Sequence, residues 1–162
     1  MSKIYVDEIH PKTSGGVITV GTDLINTERP AFRVLKTTQQ TAAAANEVID
    51  WDEVDYNQGS YWNSSTNRFV APVAGLYLFG ATHLTISNNS QTDVLYRVNG
   101  DPAKGIRIRN ATGATQHRTY SGTFLIQLAV DDYVDGVILA SSGTVYGDTS
   151  KTWTTFWGYL VG

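Results

Sequence analysis

Short apolar segments separated by turn residues run through most of this chain, and this pattern limits the fold more than any other feature. Clusters of Gly, Asn, Asp and Ser interrupt the apolar segments before they reach the length of an ordinary helix. Only residues 41–46 have helical composition, and that stretch is short enough to be a loop. Many short strands with frequent turns predict an all-β fold, either a β-sandwich or a jelly roll. The predicted strands cover residues 4–6, 17–20, 32–35, 69–73, 76–86, 94–99, 106–109, 119–130, 133–140, 143–146 and 153–160, and the predicted turns cover 57–60, 88–90, 99–102 and 141–143.

Three of the predicted strands lack the alternation of polar and apolar residues that a strand with one face in water shows. They are residues 76–81, 124–130 and 137–140. If these strands share a sheet, the outer face of that sheet is apolar and another chain must cover it. The pattern therefore favours an oligomer, although the central strands of a large sheet would show the same pattern.

Residues 1–29 differ from the remainder of the chain and predict a separate N-terminal arm. Two short strands flank a turn-rich segment, and two short strands cannot bury a core by themselves. We therefore expect the arm to dock on a neighbouring subunit or a partner protein, with Arg29 and Pro30 at the linker and residues 30–162 as the main domain. The expected anchoring residues are Ile4, Tyr5, Val6, Ile9, Val17, Ile18 and Val20.

Composition excludes several classes of protein. Of the 162 residues, 41% are hydrophobic and 17% are charged, so the chain is neither a disordered polyampholyte nor an inserted membrane protein. The formal net charge is -3 and the basic residues are scattered, which argues against nucleic acid as a partner. The absence of cysteine excludes disulfides and thiolate chemistry, and the first residues contain no secretory signal.

Aromatic residues and glycines recur at specific spacings between residues 51 and 81 and again near the C terminus. The series consists of Trp51, Asn57, Trp62, Phe69, Gly75, Tyr77, Phe79, Phe156 and Gly158. It closely resembles the signature of the C1q-like domain family, part of the C1q/tumour-necrosis-factor superfamily, over about residues 31–162. Trp51 stands where Phe is usual, and Ala81 stands where Phe or Tyr is usual. The resemblance implies a ten-stranded jelly roll that assembles as a compact homotrimer.

The residues of this signature have structural roles that their chemistry predicts. The large aromatic side chains fill a core, and Asn57 caps a turn. Gly75 and Gly158 allow close approach of neighbouring groups or unusual dihedral angles. The signature therefore specifies a fold and leaves the ligand open.

The segments 3–9 and 14–20 are similar to short segments that are common in bacteriophage fibre and appendage proteins. With no cysteine, no secretory signal and no collagen-like Gly-X-Y stalk, this resemblance implies a phage structural protein. We expect a non-enzymatic virion component, assembled in the bacterial cytoplasm, that forms a fibre tip, an appendage or a capsid-surface knob. The arm would bind other virion proteins, and the head would bind a glycan or protein on the host surface. The alternative is a bacterial C1q-like binding or coat protein that recognises surface carbohydrate or protein.

Acidic residues crowd the stretch 47–55, and Asp50, Asp52 and Asp55 are candidate calcium ligands. The stretch lacks EF-hand spacing, so a solvated acidic loop is the simpler interpretation; the same holds for Asp131, Asp132 and Asp135. We therefore expect no cofactor other than calcium.

The chemistry of the remaining polar residues favours recognition over catalysis. The three histidines are far apart in sequence, and the chain has neither a nucleophile elbow nor a phosphate-binding loop. Long polar loops are typical places for recognition, and they make Asn88, Asn89, Asn110 and His117 candidate receptor-binding residues. Trp153 and the stretch 61–63 are candidates for stacking on sugars, although Trp62 is better explained as a core residue.

Overall fold

Two antiparallel sheets form the part of the protein that the computed structural model describes, residues 29–86, 92–109, 117–150 and 153–162. This part contains thirteen strands and no helix, and ten of the strands have three or more residues. No helix capable of crossing a membrane occurs in these ranges. The strands are β1 (Ala31–Leu35), β2 (Gln40–Thr41), β3 (Glu47–Val48), β4 (Glu53–Gln58), β5 (Trp62–Asn63), β6 (Arg68–Val70), β7 (Gly75–Ile86), β8 (Asp93–Val98), β9 (Asp101–Arg109), β10 (His117–Leu128), β11 (Tyr133–Ile138), β12 (Thr144–Tyr146) and β13 (Thr155–Leu160).

The first sheet is organised around the long strand β7. Strand β10 pairs with one edge of β7 along its whole length, and β13, β1 and β4 follow in that order from the other edge. Strands β12 and β2 continue that second edge at the C-terminal end of β7. The second sheet has the order β5-β6-β11-β8-β9, with β3 beside β11. The chain passes repeatedly between the sheets, which is the connectivity of a jelly roll, so the expected all-β fold is confirmed.

Buried aromatic rings fill the space between the two sheets. Phe32 of the first sheet stacks on Trp62 and Phe69 of the second, with ring centroids 4.9 and 5.0 Å apart. Tyr96 and Phe156 meet across the same space at 4.4 Å. Large aromatic rings bury much apolar area and pack in defined orientations, so this cluster stabilises the sandwich and fixes how the sheets face each other.

The two-residue strands β2, β3 and β5 were not predicted, and two of the longer strands also differ from the sequence-based prediction. Strand β4 was not expected, because its acidic composition is typical of a loop, and it lies at the edge of the first sheet where such residues reach water. Strand β9 begins at Asp101, inside the expected turn 99–102. The turn is confined to Asn99 and Gly100, whose φ angles of 53° and 76° suit a two-residue hairpin. Pro102 is tolerated in β9 because this strand is an edge of the second sheet.

The alanine-rich residues 41–46 form no helix. They connect β2 to β3, and the Glu47 carboxylate accepts hydrogen bonds from the backbone N–H groups of Ala43 and Ala44 at 2.6 and 3.3 Å. The hydrogen bond from the Gln40 side chain has the largest effect in lowering the pKa of Glu47, and these two backbone bonds lower it further. The Glu47 carboxylate thus satisfies two backbone donors of a segment that has no helical hydrogen bonds.

Candidate functional site

The outer face of the first sheet carries a strip of apolar side chains. Leu78 lies in register between Leu125 on β10 and Tyr159 on β13, and residues directly opposite each other share a face. Leu76 lies two residues from Leu78 on β7, and Trp157 lies two residues from Tyr159 on β13, so both share that face as well. Leu125 is 59% exposed, Tyr159 is 41% and Leu76 is 36%. We call Leu76, Leu78, Leu125, Trp157 and Tyr159 the apolar strip.

The aromatic part of the strip consists of two nearly parallel rings, those of Trp157 and Tyr159. The Trp157 ring lies across Gly80, where a Cβ atom would come within 2.1 Å of the indole Cζ2. Trp157 and Tyr159 then stack with their centroids 6.2 Å apart and their planes at 13°. Exposed apolar side chains that lie together in this way are typical of a surface that a second protein covers.

Two of the three strands that the sequence predicted to be apolar on both faces contribute to this sheet, as parts of β7 and β10. The third does not, because residues 137 and 138 belong to β11 in the second sheet. There Val137 lies opposite Leu95 on the outer face, and both side chains are buried within the chain itself. The inference of a covering chain is therefore wrong for this third strand.

The outer face of the second sheet carries two buried carboxylates, each held by two arginines. Asp135 accepts a hydrogen bond from Arg97 Nε at 2.8 Å and another from Arg68 Nε at 3.3 Å. Asp93 is paired with Arg107 and, at 3.3 Å, with Arg109 Nε. The bond to Asp135 raises the pKa of Arg97. We call these six residues the ion-pair layer; the sequence-based interpretation of Asp135 as part of an acidic turn is wrong, because its position in β11 buries it completely.

Beyond the apolar strip, the outer face of the first sheet becomes polar. The Ser121 and Thr82 hydroxyls are 3.1 Å apart, and Thr155 lies in register with Thr82 on the next strand. We call these three residues the hydroxyl row. The row separates the strip from a cavity at the far end of the sheet.

The cavity has a volume of about 420 Å³ and a mostly aromatic lining. Tyr146 and Trp153 lie side by side with ring centroids 5.4 Å apart and planes at 30°. The His117 ring meets Tyr146 edge-on at 5.6 Å and 90°. Trp153 is 41% exposed, so the cavity is open to solvent. Its lining residues are Leu84, His117, Thr119, Tyr146 and Trp153.

Two of these five lining residues, His117 and Trp153, are sequence-predicted recognition candidates. Leu84, Thr119 and Tyr146 were missed. They lie on β7, β10 and β12, and the only signal that joins them is strand register, in which Leu84 stands between the other two. Register between strands so far apart in sequence is not encoded in any local motif.

His83 is a buried histidine on the inner face of the first sheet. Its Nε2 lies 3.1 Å from the Tyr96 hydroxyl of the second sheet, and the two rings stack with centroids 5.5 Å apart. Burial lowers the pKa of His83 to about 3 and raises that of Tyr96. Within the described residues, His83 Nδ1 has no hydrogen-bond partner. His83 is therefore a neutral link between the sheets.

The three candidate calcium ligands of residues 50–55 have separate partners. Asp52 accepts hydrogen bonds from Lys36 Nζ at 3.0 Å and from the backbone N–H groups of Thr37 and Thr38, and although desolvation opposes them, these bonds lower its pKa. Asp50 accepts from the Asn67 side chain, and Asp55 pairs with Arg33. In the ranges that the structure describes, no three His, Cys, Asp or Glu side chains come together as a metal site. The structure therefore does not join these carboxylates, and calcium binding stays a prediction.

The signature residues lie in the core or at turns. Asn57 donates from Nδ2 to the Trp62 carbonyl at 3.0 Å and accepts from the Trp62 N–H at 2.9 Å, across a turn in which Gly59 and Ser60 have positive φ. At Gly158, a Cβ atom would come within 2.4 Å of the Phe79 ring. At Gly75, it would come within 2.6 Å of Leu160. The aromatic residues of the signature are all buried: Trp51, Trp62, Phe69, Tyr77, Phe79 and Phe156.

Several predicted functional residues lie outside the described residues. They are the anchoring residues Ile4, Tyr5, Val6, Ile9, Val17, Ile18 and Val20 and the recognition candidates Asn88, Asn89 and Asn110. Of the four receptor-binding candidates Asn88, Asn89, Asn110 and His117, His117 alone lies within the described ranges.

The topology, the aromatic core and the signature residues together define a jelly-roll domain of the C1q/tumour-necrosis-factor type. A family model described as the C1q domain matches residues 31–161, and the chain belongs to the C1q domain family.

Solved structures show the same fold at low sequence identity. The globular domain of zebrafish complement 1qA protein has a TM-score of 0.67 and 16% identity, over 83% of this chain and 98% of that one. Murine APRIL has a TM-score of 0.64 and 10% identity, over 82% and 99%. Eiger TNF from S. frugiperda has a TM-score of 0.63 and 12% identity, over 83% and 94%.

Proposed function

We propose that this chain is a non-enzymatic, homotrimeric virion protein of a bacteriophage, located at a fibre tip, in an appendage or in a capsid-surface knob. Residues 1–29 anchor it to the particle, and the C1q-type head faces outward to bind a glycan or protein on the host surface. The apolar strip is the observation that carries the proposal, because three of its five side chains are more than a third exposed in the part of the chain that the structure describes.

The strip supports assembly through sister copies. Exposed apolar side chains in register on three neighbouring strands make a contiguous patch, and such patches mark interfaces. Contacts between identical copies close most simply into a symmetric ring. The resemblance to the C1q family sets the expected number of copies at three, and the strip supplies the surface through which they would meet.

The polar core groups support a role without catalysis. His83 is neutral and packed against Tyr96, and the Asp135 carboxylate is held by two arginines. These groups are fixed as parts of the fold, whereas a catalytic acid or base must reach a substrate and change its protonation state. Three copies of one weak recognition site would bind a host surface by multivalency, with the second and third contacts made at high effective concentration.

The phage context rests on the resemblance of segments 3–9 and 14–20 to fibre and appendage proteins. Assembly in the bacterial cytoplasm agrees with a chain that has no cysteine to form disulfides. The N-terminal arm would bind other virion proteins.

The first experiment measures the mass of the recombinant full-length chain by light scattering at micromolar concentration. Three chains of 17.7 kDa give about 53 kDa. A mass of one chain, with no larger species, would contradict the proposed assembly.

The second experiment deletes residues 2–28 and follows both trimer formation and incorporation into particles. We expect the shortened head to remain a trimer and to be absent from particles. Loss of the trimer with retained incorporation would refute this division of roles. A full-length chain that is found on the bacterial envelope and never in particles would favour the alternative, a bacterial coat or binding protein.

A further inference from the structure

The cavity at the polar end of the first sheet has the size and lining of a small-molecule site. Its volume of about 420 Å³ lies within the roughly 300–1,000 Å³ that is typical of such sites. We propose that it binds one neutral pyranose ring of a surface glycan. The proposal rests on the function proposed above only for the display of the head on a surface.

The aromatic geometry favours a sugar ring. Tyr146 and Trp153 are inclined at 30° to each other, and His117 closes the side with its ring perpendicular to Tyr146. A pyranose presents an apolar face of C–H groups that packs on an aromatic ring and an edge of hydroxyls that needs hydrogen-bond partners. The Thr119 hydroxyl and the His117 ring nitrogens belong to the same lining, and they can donate to or accept from sugar hydroxyls.

The charge of the lining argues for a neutral ligand. Among the lining residues that the structure describes there is no Asp, Glu, Lys or Arg. A sialic acid, a phosphate or a cationic peptide would lose its hydration here without gaining an ionic partner. A lipid chain would bury the Thr119 hydroxyl and the His117 nitrogens against hydrocarbon, which costs free energy for the same reason.

The position of the cavity distinguishes it from the surface that sister copies would cover. Thr119 and Leu125 are six residues apart on β10, so the cavity and the centre of the strip are about 20 Å apart along the strand. The hydroxyl row lies between them. The apolar strip and the cavity are therefore two surfaces of different chemistry on one face of one sheet.

The test uses the full-length chain and a panel of methyl glycosides of glucose, galactose, mannose and N-acetylglucosamine. Saturation-transfer NMR and titrated tryptophan fluorescence report binding, and light scattering reports the oligomeric state of each sample. We expect at least one glycoside to bind, and Trp153→Ala to weaken it about tenfold or more. Thr119→Val should weaken it by a smaller factor because it removes one hydroxyl.

The matched control is Tyr56→Ala, which removes an exposed tyrosine at the opposite edge of the same sheet. It should bind the glycoside like the parent. The proposal is overturned if no glycoside of the panel binds, or if Trp153→Ala and Tyr56→Ala bind equally well. It is also overturned if glycosides bind only after the trimer is broken, since a second copy then fills the cavity. Binding by a chain that stays monomeric would support the cavity and refute the trimer, so the two failures are distinguishable.

Discussion

The apolar side chains on the outer face of the first sheet are exposed to water, whereas those on the outer face of the second sheet are buried. The first sheet leaves Leu125 and Tyr159 exposed in its apolar strip. The second sheet buries Leu95 and Val137 on its outer face, next to four arginines that bond two aspartates. An apolar strand can therefore have its second face covered by its own chain, and among the described residues it is the first sheet whose outer face keeps exposed apolar side chains.

Arginine is suited to this covering because its long stem is apolar and its head is charged. Arg107 lies directly opposite Leu95 in the strand pairing, while its guanidinium bonds Asp93. Its stem can therefore lie over the leucine while the guanidinium reaches a carboxylate near the surface. On the first sheet, Arg33 lies opposite Trp157 of the apolar strip and pairs with Asp55, but Leu125 on β10 stays 59% exposed.

The largest expected effect comes from charging the apolar strip. Leu125→Asp should convert an assembly of about 53 kDa into a chain of 17.7 kDa, because a carboxylate would have to lose its hydration at the interface. Light scattering gives the mass, and circular dichroism checks that the fold is retained.

Val130→Asp is the matched control for this charge. Val130 is also exposed and lies just after β10, beyond the strip, so this variant should keep the parent mass. If Leu125→Asp keeps the parent mass as well, the first sheet's outer face is not where the copies meet.

The next effect is a loss of stability at acid pH, which we expect from the buried His83 between the two sheets. The pKa of His83 is about 3 in the folded protein against 6.5 for an ordinary histidine, so the unfolded chain binds the extra proton first as the pH falls. The contribution of His83 to the free energy of unfolding is complete above about pH 6.5. It is lost as the pH falls toward 3, and the loss between pH 7 and pH 4 is about 3 kcal/mol. His83→Gln keeps a polar atom near Nε2 for Tyr96 and cannot take up this proton.

Urea unfolding at pH 7 and at pH 4 measures this effect. The parent should lose more stability than His83→Gln between the two pH values, since the carboxylates titrate in both proteins. His117→Gln controls for the removal of a histidine that is exposed. Equal losses in the parent and in His83→Gln would show that His83 is not held neutral.

An effect of similar size is expected from the ion-pair layer. Asp135→Asn keeps the shape of the side chain and leaves Arg68 and Arg97 without their shared carboxylate, so it should lower the free energy of unfolding by about 2–4 kcal/mol. The exposed pair of Arg33 and Asp55, with side chains 41% and 42% exposed, is the counterpart on the first sheet. Asp55→Asn should cost less than about 1 kcal/mol.

Denaturant unfolding of both variants at neutral pH compares the two pairs. A cost for Asp135→Asn as small as that for Asp55→Asn would mean that the ion-pair layer contributes little to the stability of the second sheet. The apolar residues beneath it would then account for the closure of that face.

Much of the fold was predictable from local signals. The turn residues between apolar segments predict most strands, and the spacing of the aromatic signature predicts the family and the core that Phe69, Tyr77 and Phe79 form. The acidic strand β4 and the early start of β9 were not predictable, because edge strands tolerate charged residues and proline that interior strands exclude. Two of the five residues that line the cavity, Trp153 and His117, were predictable from the sequence as recognition residues. Their contact with Tyr146 was not, because it depends on strand register.

The sequence alone determined the class of fold and the residues of its core, since alternation, turns and aromatic spacing are properties of neighbouring positions. Which apolar face stays open, and which arginines cover the other, depends on the tertiary structure, because strands far apart in sequence become neighbours there. From the neighbouring residues alone, Asp135 is predicted to be one more acidic residue near a turn. It becomes a buried partner of two arginines only because β11 lies between β6 and β8. The sequence specifies the chemistry of each side chain, whereas strand pairing determines the neighbours that give the side chain its role.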